Sequence, residues 1–453
     1  MKMRKWKLKN GKLLILLLFT IHCLLFTVNA QSDGSQQNVL GKAGTFAIRN
    51  ARIVTVSGAT IENGTIVIKD GKILAVGATA SVPSGAEVID GKGLSVFPGM
   101  IDARTNMGLS EIQLSADPTV DVSELGDMNA NAKAITGINP HTSHVNVTRV
   151  NGVTTVLSSP SGGLVSGQSA VINLWGATQE QMAIVSTHSL VINFPRVSTF
   201  GGFNPGTGPI VLDFNEAIRQ RDRRMDDLKK LFKSVEDYAA AKEAYEKDKS
   251  LPKPKTDLKM DAMIPYVRGQ KPIIFTVERE RDIKGVVKFV EDTKVKGIIA
   301  GGQEAWKVAD GLKKNNIGVI YTNIYSLPVQ DDDAYDYLFA APAKMQQAGI
   351  QFCISTGDTG QEVRDLPYHA GLASAYGLSK EEALKSVTLY PAQILGVADK
   401  IGSIEVGKIA NIVVADGDIL EPRTNIKHLF INGRLIPLTS RHTELFEQFK
   451  DRK

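Results

Sequence analysis

Val96-Phe97-Pro98-Gly99-Met100-Ile101-Asp102-Ala103 is the point at which the pattern of the chain changes. Before it, from Phe46 to Phe97, short β-branched runs (Ile53, Val54, Val56; Ile66, Val67, Ile68; Ile73, Leu74, Val76) are broken by Asn63-Gly64 and Asp70-Gly71. Such alternation with Asn-Gly and Asp-Gly turns predicts an antiparallel meander. After it, apolar runs of strand length are separated by helical stretches. Strands are expected at Val96–Ala103, Thr154–Ser158, Leu190–Phe194, Pro272–Val277, Gly297–Ala300, Gly318–Tyr321 and Phe352–Thr356. Continuous apolar strands alternating with helices predict a parallel sheet covered on both faces, and about eight such units close into a barrel. One strand of the eight has no clear place in the sequence.

Outward from this core, Asn215 to Met263 is rich in Lys, Glu, Asp and Ala with a Pro252-Lys-Pro-Lys255 break, which reads as solvated surface helices. Ile404–Val414 and His428–Ile436 return to short β signals with Asp416-Gly417 and Asn432-Gly433 turns. Strand signals at both ends of a barrel pattern imply that the two ends meet in one small β-unit. The fold class is therefore α/β: a (β/α)8 TIM barrel over 96–401, and a composite β-sandwich from 46–95 and 402–437. A linker at 31–45 precedes it and a tail at 438–453 follows.

Residues 1–30 stand apart. Lys2, Arg4, Lys5, Lys7, Lys9 and Lys12 precede an apolar run from Leu13 to Val28 that ends in Val28-Asn29-Ala30, the pattern of a secretory signal peptide cut after Ala30. Six of the 53 basic residues and none of the 48 acidic ones lie in this segment, so the formal +5 of the whole chain becomes −1 after cleavage. That balance gives no bulk electrostatic reason for nucleic-acid or membrane binding. Only Cys353 remains beyond residue 30, which excludes an intramolecular disulfide. A secreted, periplasmic location is the expectation.

Four stretches taken in order and spacing carry a family resemblance: Val96–Ala103, Asn151-Gly-Val-Thr-Thr-Val156, Leu389-Tyr-Pro-Ala-Gln-Ile-Leu-Gly396 and Gly402-Ser-Ile-Glu-Val-Gly-Lys-Ile-Ala-Asn-Ile-Val-Val414. They resemble the first barrel strand, the second-strand entry, the helix after the last strand and the return into the β-sandwich of the amidohydrolase superfamily, in its imidazolonepropionase-like branch. The resemblance implies one or two divalent metals at the C-terminal mouth of the barrel. These lower the pKa of bound water for attack on carbon–nitrogen bonds other than peptide bonds. It also implies a His-x-His pair at the end of strand one, further histidines after strands five and six, and an aspartate after strand eight as proton shuttle.

This sequence departs from that pattern. After Ile101-Asp102-Ala103 stand Arg104-Thr105-Asn106, and neither Arg104 nor Asn106 supplies a neutral imidazole. Strand five offers Thr276 and Glu278, and strand six ends in Gly301-Gly302. Leu190–Phe194 has no lysine that could serve as a carboxylated bridge. Asp358, in Ser355-Thr-Gly-Asp-Thr-Gly360, keeps the place of the family's catalytic aspartate. No metal is therefore expected, and the space is predicted to be filled by Arg104 at salt-bridge distance from Asp358, or failing that from Glu278.

The remaining candidates are weaker. His141 and His144 form an H-x-x-H spacing without an acidic partner nearby in sequence. His188 reads as a strand-end hydrogen-bonding residue, His369 as a helix residue that either lines the mouth or, the favoured reading, serves packing, and His428 and His442 fall outside the expected mouth. Ser158–Ala170, including Ser166 and Gln168, reads either as a mouth loop whose backbone N–H groups bind an anion or peptide-like group, or as a purely structural loop. Two functions follow. The first is a metal-free relative that binds a small-molecule or peptide-like ligand, or supports an active amidohydrolase partner as a homodimer or heterodimer. The second is a hydrolase of cyclic amide or peptide-like C–N bonds, working through zinc in a reduced site of Asp358, Glu278 and His141 or His144.

Overall fold

In the computed structural model the described residues are 40–112, 119–204, 208–322, 324–328, 332–357 and 359–452. The expected signal peptide and Asp358 lie outside them.

Both ends of the chain build one eight-stranded sheet, in which β20-β19-β18-β5-β1-β2-β3 run side by side and β4 also pairs with β1. Its strands are β1 (Phe46–Ile53), β2 (Ile61–Lys69), β3 (Lys72–Gly77), β4 (Glu87–Asp90), β5 (Ser95–Pro98), β18 (Ile412–Ala415), β19 (Ile426–Ile431) and β20 (Arg434–Ile436). The alternation noted in the sequence buries Phe46, Ile48, Ile53, Ile66, Ile68, Ile412, Val414 and Phe430 in one apolar cluster, where the Phe46 and Phe430 rings meet edge to face at 5.2 Å. The Asp70-Gly71 and Asn432-Gly433 hairpin turns pack against each other. Ala410 threads between them, donating to Gly71 O (2.9 Å) and accepting from Gly433 N (3.0 Å). Asn63-Gly64, expected as a turn, lies within β2 at an irregular stretch of its pairing with β1. The chain reverses earlier, between Ile53 and Ile61.

The decisive stretch is two strands rather than one. β5 ends at Pro98 and β6 (Met100–Thr105) opens the barrel. Gly99 is the hinge, and a Cβ there would sit 2.2 Å from Thr154 Oγ1, so only glycine lets the two layers approach. The barrel staves follow as β6, β7 (Val153–Ser158), a descending strand made of β8 (Val165–Gln168) and β9 (Ala170–Asn173), β11 (Leu190–Asn193), β14 (Pro272–Val277), β15 (Lys296–Gly301), β16 (Gly318–Tyr321) and β17 (Phe352–Ile354). Seven staves are parallel. The third is antiparallel, pairing through β9 with β7 and through β8 with β11. This is the strand the sequence left unplaced. Instead of leaving β7 through a helix, the chain turns back within Ser159–Leu164.

Ile101 and Ala103, Leu157, Val171, Ile274, Ile298 and Ala300, Ile320 and Cys353 form one cluster drawn from seven staves, the filled interior of the barrel. The alternate residues of the same strands face the covering helices in a second, larger cluster. The segment 387–401 closes the bottom: Ile101 N donates to Val387 O (2.8 Å), and His188 Nε2 to Leu395 O (2.7 Å). The charged stretch after β11 forms a helix over Phe214–Lys247, capped by Asp213, and a second over Leu258–Val267. None of the described helices is long and apolar enough to cross a membrane.

Candidate functional site

Strand alternation carries the polar residues beyond the apolar interior to the C-terminal mouth. Past Ala103, Leu157, Ile274 and Cys353, on the same faces, stand Thr105, Ser159, Thr276 and Ser355. Arg104 is 3% exposed, and its Nη1 reaches Thr276 Oγ1 at 3.4 Å. Since β6 and β14 occupy opposite sides of the ring of staves, the guanidinium lies across the mouth. It joins two positions at which the family resemblance implies metal ligands. Asp358 lies outside the described residues, so the partner named here for Arg104 is Thr276.

Glu278 follows β14 and lies over Gly301, the third of those positions. A Cβ on Gly301 would fall 2.5 Å from Glu278 Oε1 and 2.6 Å from Val277 O, at φ +105°. Gln303 N approaches Glu278 Oε2 at 3.4 Å. Asn106 stands against Gly360, at the edge of the seam between strands one and eight. Its buried Oδ1 has no hydrogen-bond donor among the described residues. Among the described residues, no three His, Cys, Asp or Glu side chains come together as a metal-holding group. Arg104 puts a permanent positive charge at one of these positions, and Gly301 leaves no room for a side chain at another.

Ser166 and Gln168 are not on a mouth loop. They are buried strand residues of β8, and both are already engaged: Ser166 Oγ accepts from Asn193 Nδ2 (3.2 Å), while Gln168 donates to Ala130 O (2.9 Å) and accepts from Tyr266 OH (3.1 Å). Gly162 and Gly163, at φ +81° and +64°, serve the reversal after β7, while Gly167 lies within β8. His369 is buried with its ring edge to face with that of Tyr325 at 4.4 Å, and burial pulls its pKa down to about 4. His188 is a strand-end hydrogen-bonding residue, as expected.

The residue that sequence reasoning passed over is Asp102. It is fully buried at the seam between β17 and β6, where no backbone ladder forms among the described residues. Its carboxyl group bridges the seam instead. Oδ2 accepts from Thr356 Oγ1 (2.6 Å) and Thr356 N (3.2 Å), Oδ1 accepts from Ser355 Oγ, and Arg104 N approaches Oδ1 at 3.2 Å. Ser355 Oγ also lies 2.9 Å from Arg104 O. Burial pushes the pKa of Asp102 up to about 6 against these hydrogen bonds, which pull it down. The signal lies in Ile101-Asp102-Ala103, where an aspartate stands inside an otherwise apolar strand.

The Amidohydrolase family model matches residues 339–436, the last stave and the return into the sheet. A structure of an amidohydrolase from Thermotoga maritima MSB8 superposes with a TM-score of 0.75 over 86% of this chain and 99% of that one, at 24% identity. Over residues 339–436 the chain is similar to the Amidohydrolase family, and over most of its length it shares the fold of that neighbour. Among curated relatives, imidazolonepropionase from Mesorhizobium japonicum is 38% identical over 76 residues, which is 15% of this chain and 19% of that enzyme. Amidohydrolase tasK from Hapsidospora irregularis is 23% identical over 401 residues, 82% of this chain and 39% of the relative. The chain spans from under a fifth to about two fifths of the length of the curated relatives it matches. The TIM barrel with its β-sandwich is the architecture these neighbours share.

Proposed function

We propose that the chain is an exported, metal-free amidohydrolase relative whose barrel mouth binds a small or peptide-like ligand without metal-assisted hydrolysis. The observation that carries this reading is the Arg104 guanidinium lying across the mouth, with Nη1 at 3.4 Å from Thr276 Oγ1. A fixed cation spanning the mouth between strands one and five opposes a second, divalent cation by direct repulsion. The ligand would meet Arg104, Thr276 and Glu278, a charged pair of opposite sign beside a hydroxyl. That set suits a group with both hydrogen-bond donors and acceptors, such as an amide.

Elemental analysis of the purified mature protein after dialysis tests the reading. Substoichiometric zinc is expected, and one tightly held equivalent would overturn the metal-free reading in favour of a hydrolase. The double variant Arg104→His with Asn106→His removes the repulsive charge and supplies two imidazoles, so its zinc affinity should exceed that of the parent by about tenfold or more. Equal affinities in a calorimetric titration would show that Arg104 is not what keeps the metal out. Export rests on the basic start, the apolar run and Val28-Asn29-Ala30. N-terminal sequencing of the exported chain should begin at Gln31, whereas a retained Met1 in a membrane fraction would show an anchor instead.

A further inference from the structure

Outside the mouth, the tertiary fold gathers residues that are far apart in sequence around one cleft of about 600 Å³. Glu111, His141, His144, Arg364, Arg441 and His442 are the charged and titratable groups lining it. Glu111 is the one acid among them, and its carboxylate is already engaged by Ser143: Oε1 accepts from Ser143 N (3.1 Å) and Ser143 Oγ (2.9 Å). His144 Nε2 is likewise spent on Glu111 O (3.0 Å). Two guanidinium groups remain. Arg364 has a long contact to its neighbour Asp365 (3.7 Å), and its backbone is pinned by Asn151 Nδ2 donating to its carbonyl (3.1 Å). Arg441 is exposed and makes no ion pair among the described residues.

The two arginines belong to different bodies. Arg364 lies on the rim of the barrel just beyond stave eight. Arg441 and His442 open the C-terminal helix Arg441–Phe449, which has a Ser440–Thr443 capping box and not one buried residue. Nine residues without a buried face form a helix that is marginal by itself. Its docking is therefore open to reinforcement by anything that bridges the cleft.

We propose that this cleft binds a small, multiply charged oxyanion held between Arg364 on the barrel rim and Arg441 on the C-terminal helix, so that the ligand fastens the helix to the barrel. Guanidinium groups pair bidentately with such anions, and among the described lining residues two arginines face the single acid, Glu111. The exposed imidazoles of His141 and His442 add hydrogen-bond donors. A ligand that binds only the docked form stabilises it by mass action. None of this draws on the barrel-mouth residues, so it stands apart from the metal-free reading.

The test is calorimetric titration of the whole mature chain with inorganic phosphate in a phosphate-free buffer, with acetate as the singly charged control. Saturable phosphate binding is expected, at least about tenfold tighter than acetate, and Arg441→Ala or Arg364→Ala should each weaken it by about tenfold or more. Hydrogen exchange within 441–449 should slow severalfold when phosphate is added. Arg441 is exposed, so its alanine variant should keep the circular dichroism of the parent and remain informative. Equal affinity for acetate and phosphate, binding unchanged in both variants, no saturable binding, zinc bound at the histidines in place of the anion, or unaltered exchange in the helix would each overturn the proposal.

Discussion

Asp102→Ala should lower the free energy of unfolding by about 3–5 kcal/mol, because it strands donors on both sides of the barrel seam. Thr356 N and Oγ1 and Arg104 N lose their acceptor at a fully buried position. Ser355 Oγ keeps the Arg104 carbonyl as an alternative. The pH dependence separates the charge from the shape. The folded pKa of Asp102 is about 6, raised by burial from 3.8. Between those values the folded state holds a proton that the unfolded state has released. Stability from this group is thus full below about pH 4, is lost as the pH rises through about 6, and is level above. The span corresponds to about 3 kcal/mol at 1.36 kcal/mol per pH unit. Urea unfolding of the parent and of Asp102→Asn at pH 4, 5, 6 and 7 should show the parent's advantage shrinking across that window. A constant difference at all four values would mean that Asp102 does not titrate there.

Gly301→Ala should cost about 3 kcal/mol or more, since two penalties act together. The added methyl would sit 2.6 Å from the Val277 carbonyl oxygen, which as backbone cannot step aside, and 2.5 Å from Glu278 Oε1. The φ of +105° is also one that alanine resists. Gly85→Ala is the control. Gly85 too has a positive φ, +80°, but nothing lies within 4 Å of the added Cβ. That variant should show the backbone penalty alone, about 1 kcal/mol. If the urea midpoints of the two variants coincide, the crowding by Val277 and Glu278 is not real. The same contact leaves no room for a larger side chain at the end of stave six.

The staves at Thr154–Ser158, Pro272–Val277 and Gly318–Tyr321 could be read because each is a short apolar run between helical stretches, and burial on both faces writes itself as continuous hydrophobicity. The third stave could not. Val165-Ser-Gly-Gln-Ser-Ala-Val-Ile-Asn173 mixes hydroxyls and glycine into a strand, and its polar residues are satisfied by partners far away in sequence, such as Tyr266 and Ser189. Gly99 looked like an interior residue of one strand because its role depends on Thr154, which only the fold brings near. At the mouth, the residues Arg104, Asn106, Thr276 and Gly301, none of them a histidine, were legible one by one. The reach of Arg104 to Thr276 was not, since it depends on the diameter of a closed ring. The gathering of His141, His144 and His442 around one cleft was equally hidden: the tail helix that brings His442 there has no sequence signal for its docking place.

The sheet that joins the two ends of the chain also sets an order of events. β5 forms its ladder with β1 on one side and with β18 on the other, and β18 reaches it only after every stave of the barrel has been synthesised. Until then β5 presents an open edge of Val96 and Phe97, ready to pair with any extended strand nearby. Chains cut short before Ile412 would keep that edge permanently, and self-association is the characteristic fate of such species. For a polypeptide made from one end to the other, the last strands to emerge are therefore the ones that make the first strands safe.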